Sequence, residues 1–150
     1  MIDTLHGTCV LIGTAGVLIR GAGGAGKTAL ALALVEAAER AGRFARLVAD
    51  DRVAVRAVNG RLVASPPATI AGLAEVRGRG LVPQPFERAA VVRLVVDLLP
   101  TADLARLPDP SAFATVIAGI ALPRQPVPIG DPHAAIRLAD AALAALAAGD

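Results

Sequence analysis

Residues 17–30 read VLIRGAGGAGKTAL, and the reading of the whole chain starts from them. The centre of the stretch, Gly21-Ala22-Gly23-Gly24-Ala25-Gly26-Lys27-Thr28, fits G-x-x-x-x-G-K-[ST]. Val17, Leu18 and Ile19 ahead of it are an apolar run suited to a buried strand, and Thr28 opens a helix-forming segment, TALALALVEAAERA. Glycines let the chain bend tightly with no Cβ in the way, so successive backbone N–H groups point inward at phosphate oxygens. The helix that follows adds its dipole and its unpaired N–H groups. Lys27 brings a positive charge to the β- and γ-phosphates, and the Thr28 hydroxyl is a hard oxygen ligand suited to Mg²⁺. Strand, loop and helix agree on one expectation: the chain binds a nucleoside triphosphate.

The 150 residues are expected to form one domain, residues 1–150, with a core of ordinary size. Hydrophobic residues make up 55% of the chain and the mean hydropathy is +0.60, yet Gly, Arg or Asp interrupts every apolar stretch before it reaches the length of a membrane span. No basic leader or cleavage site precedes the first strand, and a lone Cys9 suits a reducing compartment, so the expected location is cytoplasmic with no membrane partner. The formal charge is +2, and the basic residues other than Lys27 are arginines. With three Phe, no Trp and no Tyr there is no aromatic platform for stacking bases, and no dense arginine track, which argues against nucleic acid.

Outward from the loop, residues 7–12 (GTCVLI) and 17–19 read as a β-hairpin turned by Gly13 to Gly16. The helix is expected over residues 28–41, stopped by Gly42. Residues 44–49 (FARLVA) form a short apolar strand ending abruptly at Asp50-Asp51. Residues 53–58 and 61–64 flank Asn59-Gly60, the dipeptide that best fits a type I′ hairpin turn. Ser65-Pro66-Pro67 breaks the pattern, and residues 70–76 suit either a short helix or a strand. Residues 89–99 (AAVVRLVVDLL) read as a central strand, and residues 100–110 as a loop. Residues 116–122 and 127–129 read as two strands split by Pro123, and residues 132–148 as an Ala/Leu helix with Pro at its start.

Asp50 and Asp51 stand at the end of a strand that follows the loop helix. Carboxylates at the carboxyl end of a strand in an α/β sheet face the ligand crevice. Neighbouring residues of an extended chain point in different directions, so the two can do different work: one secures a metal or its waters, the other accepts a proton from an attacking hydroxyl.

His6-Gly7 before a hairpin, then GVLIRGAGGAGKTALAL, LVADDRV, a second hairpin and EVRGRG, together resemble the catalytic domain of the HPr kinase/phosphorylase family. The resemblance covers about residues 5–82 in the right order, and LVADDRV and EVRGRG are its specific parts. It implies an α/β fold, a P-loop-containing kinase domain of the HPr kinase/phosphoenolpyruvate carboxykinase type with a mixed β-sheet and flanking helices. It also implies a short form lacking the family's usual N-terminal domain, and assembly as a homo-oligomer, a hexamer in the family. The implied activity is Mg-ATP-dependent phosphorylation of a serine on an HPr-like phosphocarrier protein of a phosphotransferase system, with the reverse phosphorylase reaction also possible.

Carried over by position, Gly21, Ala22, Gly23, Gly24, Ala25, Gly26, Lys27 and Thr28 would hold the ATP phosphates, with Thr28 and Glu75 on Mg²⁺. Lys27 would stabilise the transferring phosphoryl group. Asp51 would be the general base towards the serine hydroxyl, Asp50 would support it, and His6 would tune it. Arg77 and Arg79 lie in the block the family ties to catalysis. The chain departs from the family in two places: an insertion around residues 38–43, and Asp131 in a Val127-to-Pro132 segment where the family carries an arginine, a place Arg124 or Arg137 could fill. Two other functions suit the loop alone: a small-molecule or nucleotide kinase, or a non-catalytic nucleotide-sensing module. The scattered arginines argue against the arginine-rich lid that the first of these needs.

Overall fold

A computed structural model describes residues 2–149. Its chain runs β1 (Asp3–His6), β2 (Thr8–Ile12), β3 (Ala15–Arg20), α1 (Lys27–Arg40), β4 (Ala45–Ala49), β5 (Arg52–Val58), β6 (Arg61–Ser65), β7 (Leu73–Val76), β8 (Gly80–Pro83), β9 (Ala90–Leu99), β10 (Ala114–Ile117), β11 (Ile120–Pro128) and α2 (Pro132–Gly149). The main sheet is mixed and nine-stranded, in the order β1-β5-β6-β9-β3-β2-β4, with the β10–β11 hairpin joined to it through β11; β7 and β8 form a separate two-stranded sheet.

Strand β9 organises this arrangement. It runs parallel to β3 along one edge, while the other edge is shared between antiparallel β6 at Ala90–Val91 and parallel β11 from Val95 onward. A ten-residue β-branched run buried on both faces is what a central strand with two parallel neighbours requires. Alternation along β3 divides the core. Val17 and Ile19 join Leu30, Leu34, Leu94, Val96, Ala135, Ala139 and Leu143 under the helices. Leu18 faces the other way, with Cys9, Val48, Val53, Val55, Leu62 and Val95, where the sheet curls onto itself. Both helices therefore lie on one face, and the opposite face is covered by strands. Cys9 has no exposed surface, and burial pushes its thiol up to about 12, so it packs as a small apolar residue.

The local expectations hold for the loop helix, the Asn59-Gly60 turn and the tail helix. Asn59 (φ 51°) and Gly60 (φ 77°) both sit in the left-handed region that a type I′ turn demands. Strand β1 has no counterpart in the sequence reading, because only Leu5 of its four residues is even partly buried. Residues 70–76 resolve into a one-turn helix, Ala68–Ile70, followed by β7, which pairs with β8 so that EVRGRG is a hairpin. The division at Pro123 is corrected. The chain turns instead at Ala118-Gly119, both with positive φ, and Pro123 sits inside β11. Proline is tolerated there because pairing with β9 begins only at Arg124, and the nitrogens of Pro126 and Pro128 face the strand's open edge, opposite to Ile129 N, which donates to Leu99 O.

Candidate active site

Strand β3 ends at Arg20 and the chain turns at once into the glycine-rich loop. Gly21 answers to packing: a Cβ there would lie 3.1 Å from Leu98 Cβ and 3.2 Å from Ala25 Cβ. Gly24 (φ 79°) and Gly26 (φ 100°) answer to conformation, since L side chains rarely adopt such angles. A Cβ built on Gly23, Gly24 or Gly26 would meet nothing within 4 Å, so the loop leaves open space on the side where a ligand would sit. Helix α1 starts from Gly26 with no side-chain cap and no acidic residue in its first turn, which leaves its N-terminus to an anion. Lys27 is buried, and its Nζ donates to Gly21 O (3.1 Å) and Ala22 O (3.2 Å). An ammonium has three protons, so one remains to be directed outward.

Opposite the loop, β4 delivers Asp50 and Asp51. Asp50 is 4% exposed and its carboxylate accepts from three donors: Thr8 Oγ1 (2.9 Å), Thr28 Oγ1 (2.7 Å) and the backbone N–H of Glu75 (2.8 Å). One carboxylate thus ties β2, the start of α1 and β7 to a common point. Asp51 goes elsewhere. Arg52 N donates to Asp50 O at 2.7 Å across it, and its φ of 66° turns its side chain out of line with Asp50. The two carboxylates do diverge, through this three-residue turn and not by strand alternation. Asp51 Oδ1 lies 2.8 Å from His6 Nε2, both side chains being more than half exposed.

His6, Gly24, Lys27, Thr28, Asp51 and Glu75 line one cavity of about 320 Å³, with Thr8 and Arg77 also at its wall. Two larger clefts, of about 490 and 540 Å³, lie by β6 and the β10–β11 hairpin and beneath residues 99–113, and none of these residues lines either. Of the residues singled out from sequence, Asp50 stands behind the wall, and Gly21, Ala22 and Ala25 shape the loop without lining the cavity. Thr8 was missed. Its signal was a hydroxyl at the head of the apolar run CVLI, fully buried in the fold, where it donates to Asp50 and accepts from Asp51 N at 3.4 Å.

No three His, Cys, Asp or Glu side chains among the described residues are grouped closely enough to hold a metal by themselves. Mg²⁺ does not require such a cage: it keeps several waters and takes one or two protein oxygens beside substrate phosphates. Thr28, whose proton is committed to Asp50, presents oxygen lone pairs to the cavity that Glu75 also lines, and the pair fits that need. Asp50, buried behind the wall and already holding three donors, does not line that cavity.

The C-terminal residues fall outside the site. Asp131 Oδ1 accepts from Ala134 N at 3.1 Å and so caps α2. Arg124 is committed: it donates to Asp97 Oδ2 and to Ala112 O, while Arg20 forks the same carboxylate through Nε and Nη2, both at 2.8 Å. Burial alone would raise the Asp97 carboxyl, but the hydrogen bonds and charges of Arg20 and Arg124 outweigh it and hold the group below its ordinary value. Arg137 is exposed on α2, and neither arginine reaches the cavity wall.

The HPr Serine kinase C-terminal domain family matches residues 2–148. The chain belongs to that family. The match runs through α2, well past the residues whose motifs resemble the family in sequence. An HPr kinase/phosphorylase of Clostridium tetani is 41% identical over 81 residues, which are 54% of this chain and 25% of that protein, so the alignment spans a quarter of the curated relative's length. The structure of the HPr(Ser) kinase/phosphatase from Coxiella burnetii superposes with a TM-score of 0.80 at 25% identity, covering 96% of this chain and 98% of that one. The curled mixed sheet with two helices is thus the fold of the HPr kinase domain. No helix among the described residues is long and apolar enough to cross a membrane.

Proposed function

We propose that this HPr kinase domain transfers the γ-phosphoryl group of Mg-ATP to a serine hydroxyl of an HPr-like phosphocarrier in the cytoplasm. The observation that carries the reading is the division of labour between Asp50, buried and holding three hydrogen bonds, and Asp51, exposed in the same cavity as Lys27 and Thr28.

The loop N–H groups and the N-terminus of α1 hold the β- and γ-phosphates. Lys27, already anchored at two carbonyls, meets the charge that develops on the transferring group with little reorganisation. Mg²⁺, when bound with the nucleotide through Thr28 and Glu75, supplies further neutralisation of that charge. Asp51 accepts the serine proton as the serine oxygen bonds to the γ-phosphorus and the bond from that phosphorus to the β,γ-bridging oxygen breaks, leaving ADP. His6, whose Nε2 lies 2.8 Å from Asp51 Oδ1, fixes the rotamer of that carboxylate. Reversal, with phosphate attacking a phosphoserine, uses the same groups with Asp51 as acid. Assembly into a homo-oligomer accompanies this reading.

The test is transfer of label from γ-labelled ATP to a purified HPr-like protein, with the phosphorylated residue mapped. Label on serine that disappears in Asp51→Asn supports the reading. Labelled inorganic phosphate alone, with no labelled protein, would favour a nucleotide-sensing module, and a labelled small molecule a metabolite kinase.

A further inference from the structure

Two ladders meet at the aspartates. Strand β1 pairs with β5, with His6 opposite Arg52, and β2 pairs with β4, with Cys9 opposite Ala49. The two registers are continuous: counted inward from either side, Thr8 falls opposite Asp50 and Gly7 opposite Asp51. Opposed residues of a hydrogen-bonded antiparallel pair exchange both of their N–H···O bonds. Gly7 keeps its half, its N–H donating to Asp51 O at 3.0 Å. Asp51, at φ 66°, turns its own N–H to the Thr8 hydroxyl, 3.4 Å away. Three successive residues therefore hold Asp51: His6 meets its carboxylate, Gly7 its carbonyl and Thr8 its N–H. This tripeptide is seated against β3. Thr8 lies opposite Ile19, and a Cβ on Gly7 would come within 2.9 Å of Ile19 O, so a glycine lets the junction lie close to the strand that feeds the phosphate loop.

Thr8 also joins the two aspartates. A hydroxyl has one proton and two lone pairs. The proton goes to Asp50 Oδ1 at 2.9 Å, and a lone pair receives the Asp51 N–H. The same Asp50 oxygen accepts from Thr28 Oγ1 at 2.7 Å. A continuous run of hydrogen bonds thus leads from Thr28 through Asp50 and Thr8 to the backbone of Asp51, and its two middle members are buried. The bond to Asp51 N is long and adds little to stability. What it does is direct the N–H of a residue whose strained φ the chain would otherwise relax. On packing grounds β2 would accept valine at position 8, since valine and threonine are alike in shape, so the hydroxyl is what distinguishes Thr8.

We propose that Thr8 is a positioning residue for phosphoryl transfer: its hydroxyl holds Asp51 in the turn that presents the carboxylate to the cavity, and ties that turn to Asp50. This rests on the reading of Asp51 as the group that receives the serine proton. A base displaced from the attacking hydroxyl loses rate, while the loop, Lys27 and Thr28 still bind the nucleotide. Without the Thr8 hydroxyl, Asp50 keeps Thr28 and the Glu75 N–H, so the metal side of the site stays in place. Thr8 therefore acts on turnover and not on ATP affinity, and it acts only as long as position 51 carries a base.

The test replaces Thr8 by Val, which keeps the shape and removes both bonds, and by Ser, which keeps the hydroxyl. Transfer from γ-labelled ATP to an HPr-like protein is measured for each, alone and combined with Asp51→Asn. Thr8→Val should lower kcat roughly 10–100-fold, with KM for ATP within about twofold of the unmodified chain, and Thr8→Ser should recover kcat to within about threefold. In the Asp51→Asn background the same Thr8→Val change should alter kcat by less than about twofold, because its effect runs through the group already removed. A loss carried over in full to Asp51→Asn overturns the proposal and moves Thr8 to the metal side. So does a kcat for Thr8→Val within about twofold of the unmodified chain, and so does a Thr8→Ser as slow as Thr8→Val. Should Thr8→Val not fold, Thr8→Cys, a weak donor of similar size, takes its place in the same comparison. Failure of the proposed function reads differently. An unmodified chain that labels no HPr-like protein, or an Asp51→Asn with near-normal transfer, sinks that reading and this proposal together, whereas a slow Asp51→Asn beside a fast Thr8→Val sinks this proposal alone.

Discussion

Replacing Asp50 by Asn removes a charge and one acceptor from a carboxylate that holds three hydrogen bonds. Its Oδ1 accepts from Thr8 and Thr28, and its Oδ2 from Glu75 N–H. An amide has one oxygen for three donors, and two arrangements are open to it. With the amide oxygen in the place of Oδ1, the NH₂ confronts the Glu75 N–H, donor against donor, and the tether between β4 and β7 is lost. With the amide flipped, Glu75 N–H is satisfied, but the NH₂ points at two hydroxyls that must now accept. Thr28 then gives the new amide a lone pair that would otherwise face the phosphates. The first arrangement leaves a buried donor unpaired and forfeits a charge-assisted bond, together about 1.5–3 kcal/mol. The second costs less stability and weakens the metal ligand. Asp50→Asn should therefore lose about 1–3 kcal/mol in urea unfolding. It should also lose most of the affinity that Mg²⁺ adds to ATP, while binding of ATP in EDTA changes by less than about twofold, because the loop and Lys27 are untouched. Titration of a fluorescent ATP analogue with and without Mg²⁺, beside the unfolding curves, reads both quantities. A stability within about 0.5 kcal/mol of the unmodified chain, together with an intact Mg²⁺ increment, would refute the idea that Asp50 organises this site.

Asp51→Asn should keep Mg-ATP affinity and lower phosphoryl transfer to serine by roughly 10²–10⁴-fold, the usual range for a general base; near-normal transfer would remove Asp51 from that role. Phosphorolysis of a serine-phosphorylated partner should be weak beside the forward rate, because Asp131 caps α2 and Arg124 is locked onto Asp97, leaving no arginine of the C-terminal segment at the cavity to screen two anions; comparable forward and reverse turnover would contradict this. The Asp97 carboxyl is held below its ordinary value in the fold, so the stability it contributes is complete above about pH 4, where an unfolded Asp is ionised, and disappears as pH falls through the folded value. Urea midpoints for Asp97→Asn should therefore lie below those of the unmodified chain at pH 6 and approach them as pH falls through the folded value, and parallel curves would show that the Arg20–Asp97–Arg124 cluster is not linked to acid stability.

The parts legible in the sequence are those whose cause is local. The loop, its glycines and the lysine are fixed by contiguous chemistry, and the turns at Gly42 and Asn59-Gly60 by single-residue backbone preferences. What could not be read depends on partners distant in the chain. Pro123 looks like a break when β11 is considered alone, and ceases to be one once β9 is seen to pair only from Arg124 onward. Strand β1 has almost no apolar signature because it is an edge strand held by its ladder to β5. Thr8 looks like one more residue of a buried strand until Asp50, 42 positions later, arrives beside it. Arg124 looks free to serve the site until Asp97 and Arg20 meet it across three strands.

The aspartate pair shows why a contiguous motif can be found without its mechanism being understood. Two carboxylates in a row suggest two roles, and strand alternation is the simplest reason for them to diverge. The fold uses a turn instead, at Asp51, one of three non-glycine residues with positive φ among those described. Placing an L residue there costs on the order of 1 kcal/mol, which Gly at position 51 would avoid. The other two, Asn59 and Ala118, lie in hairpin turns where the type I′ geometry accounts for them. Asp51 joins no hairpin. Its strained turn swings one carboxylate into the cavity beside His6 while Asp50, its neighbour, stays sealed beneath the phosphate loop. Only a residue whose side chain is needed at that spot justifies an aspartate over a glycine. A carboxylate that is exposed, paired with one imidazole and free of other donors is suited to accepting a proton, whereas one already holding three hydrogen bonds is suited to holding the site together.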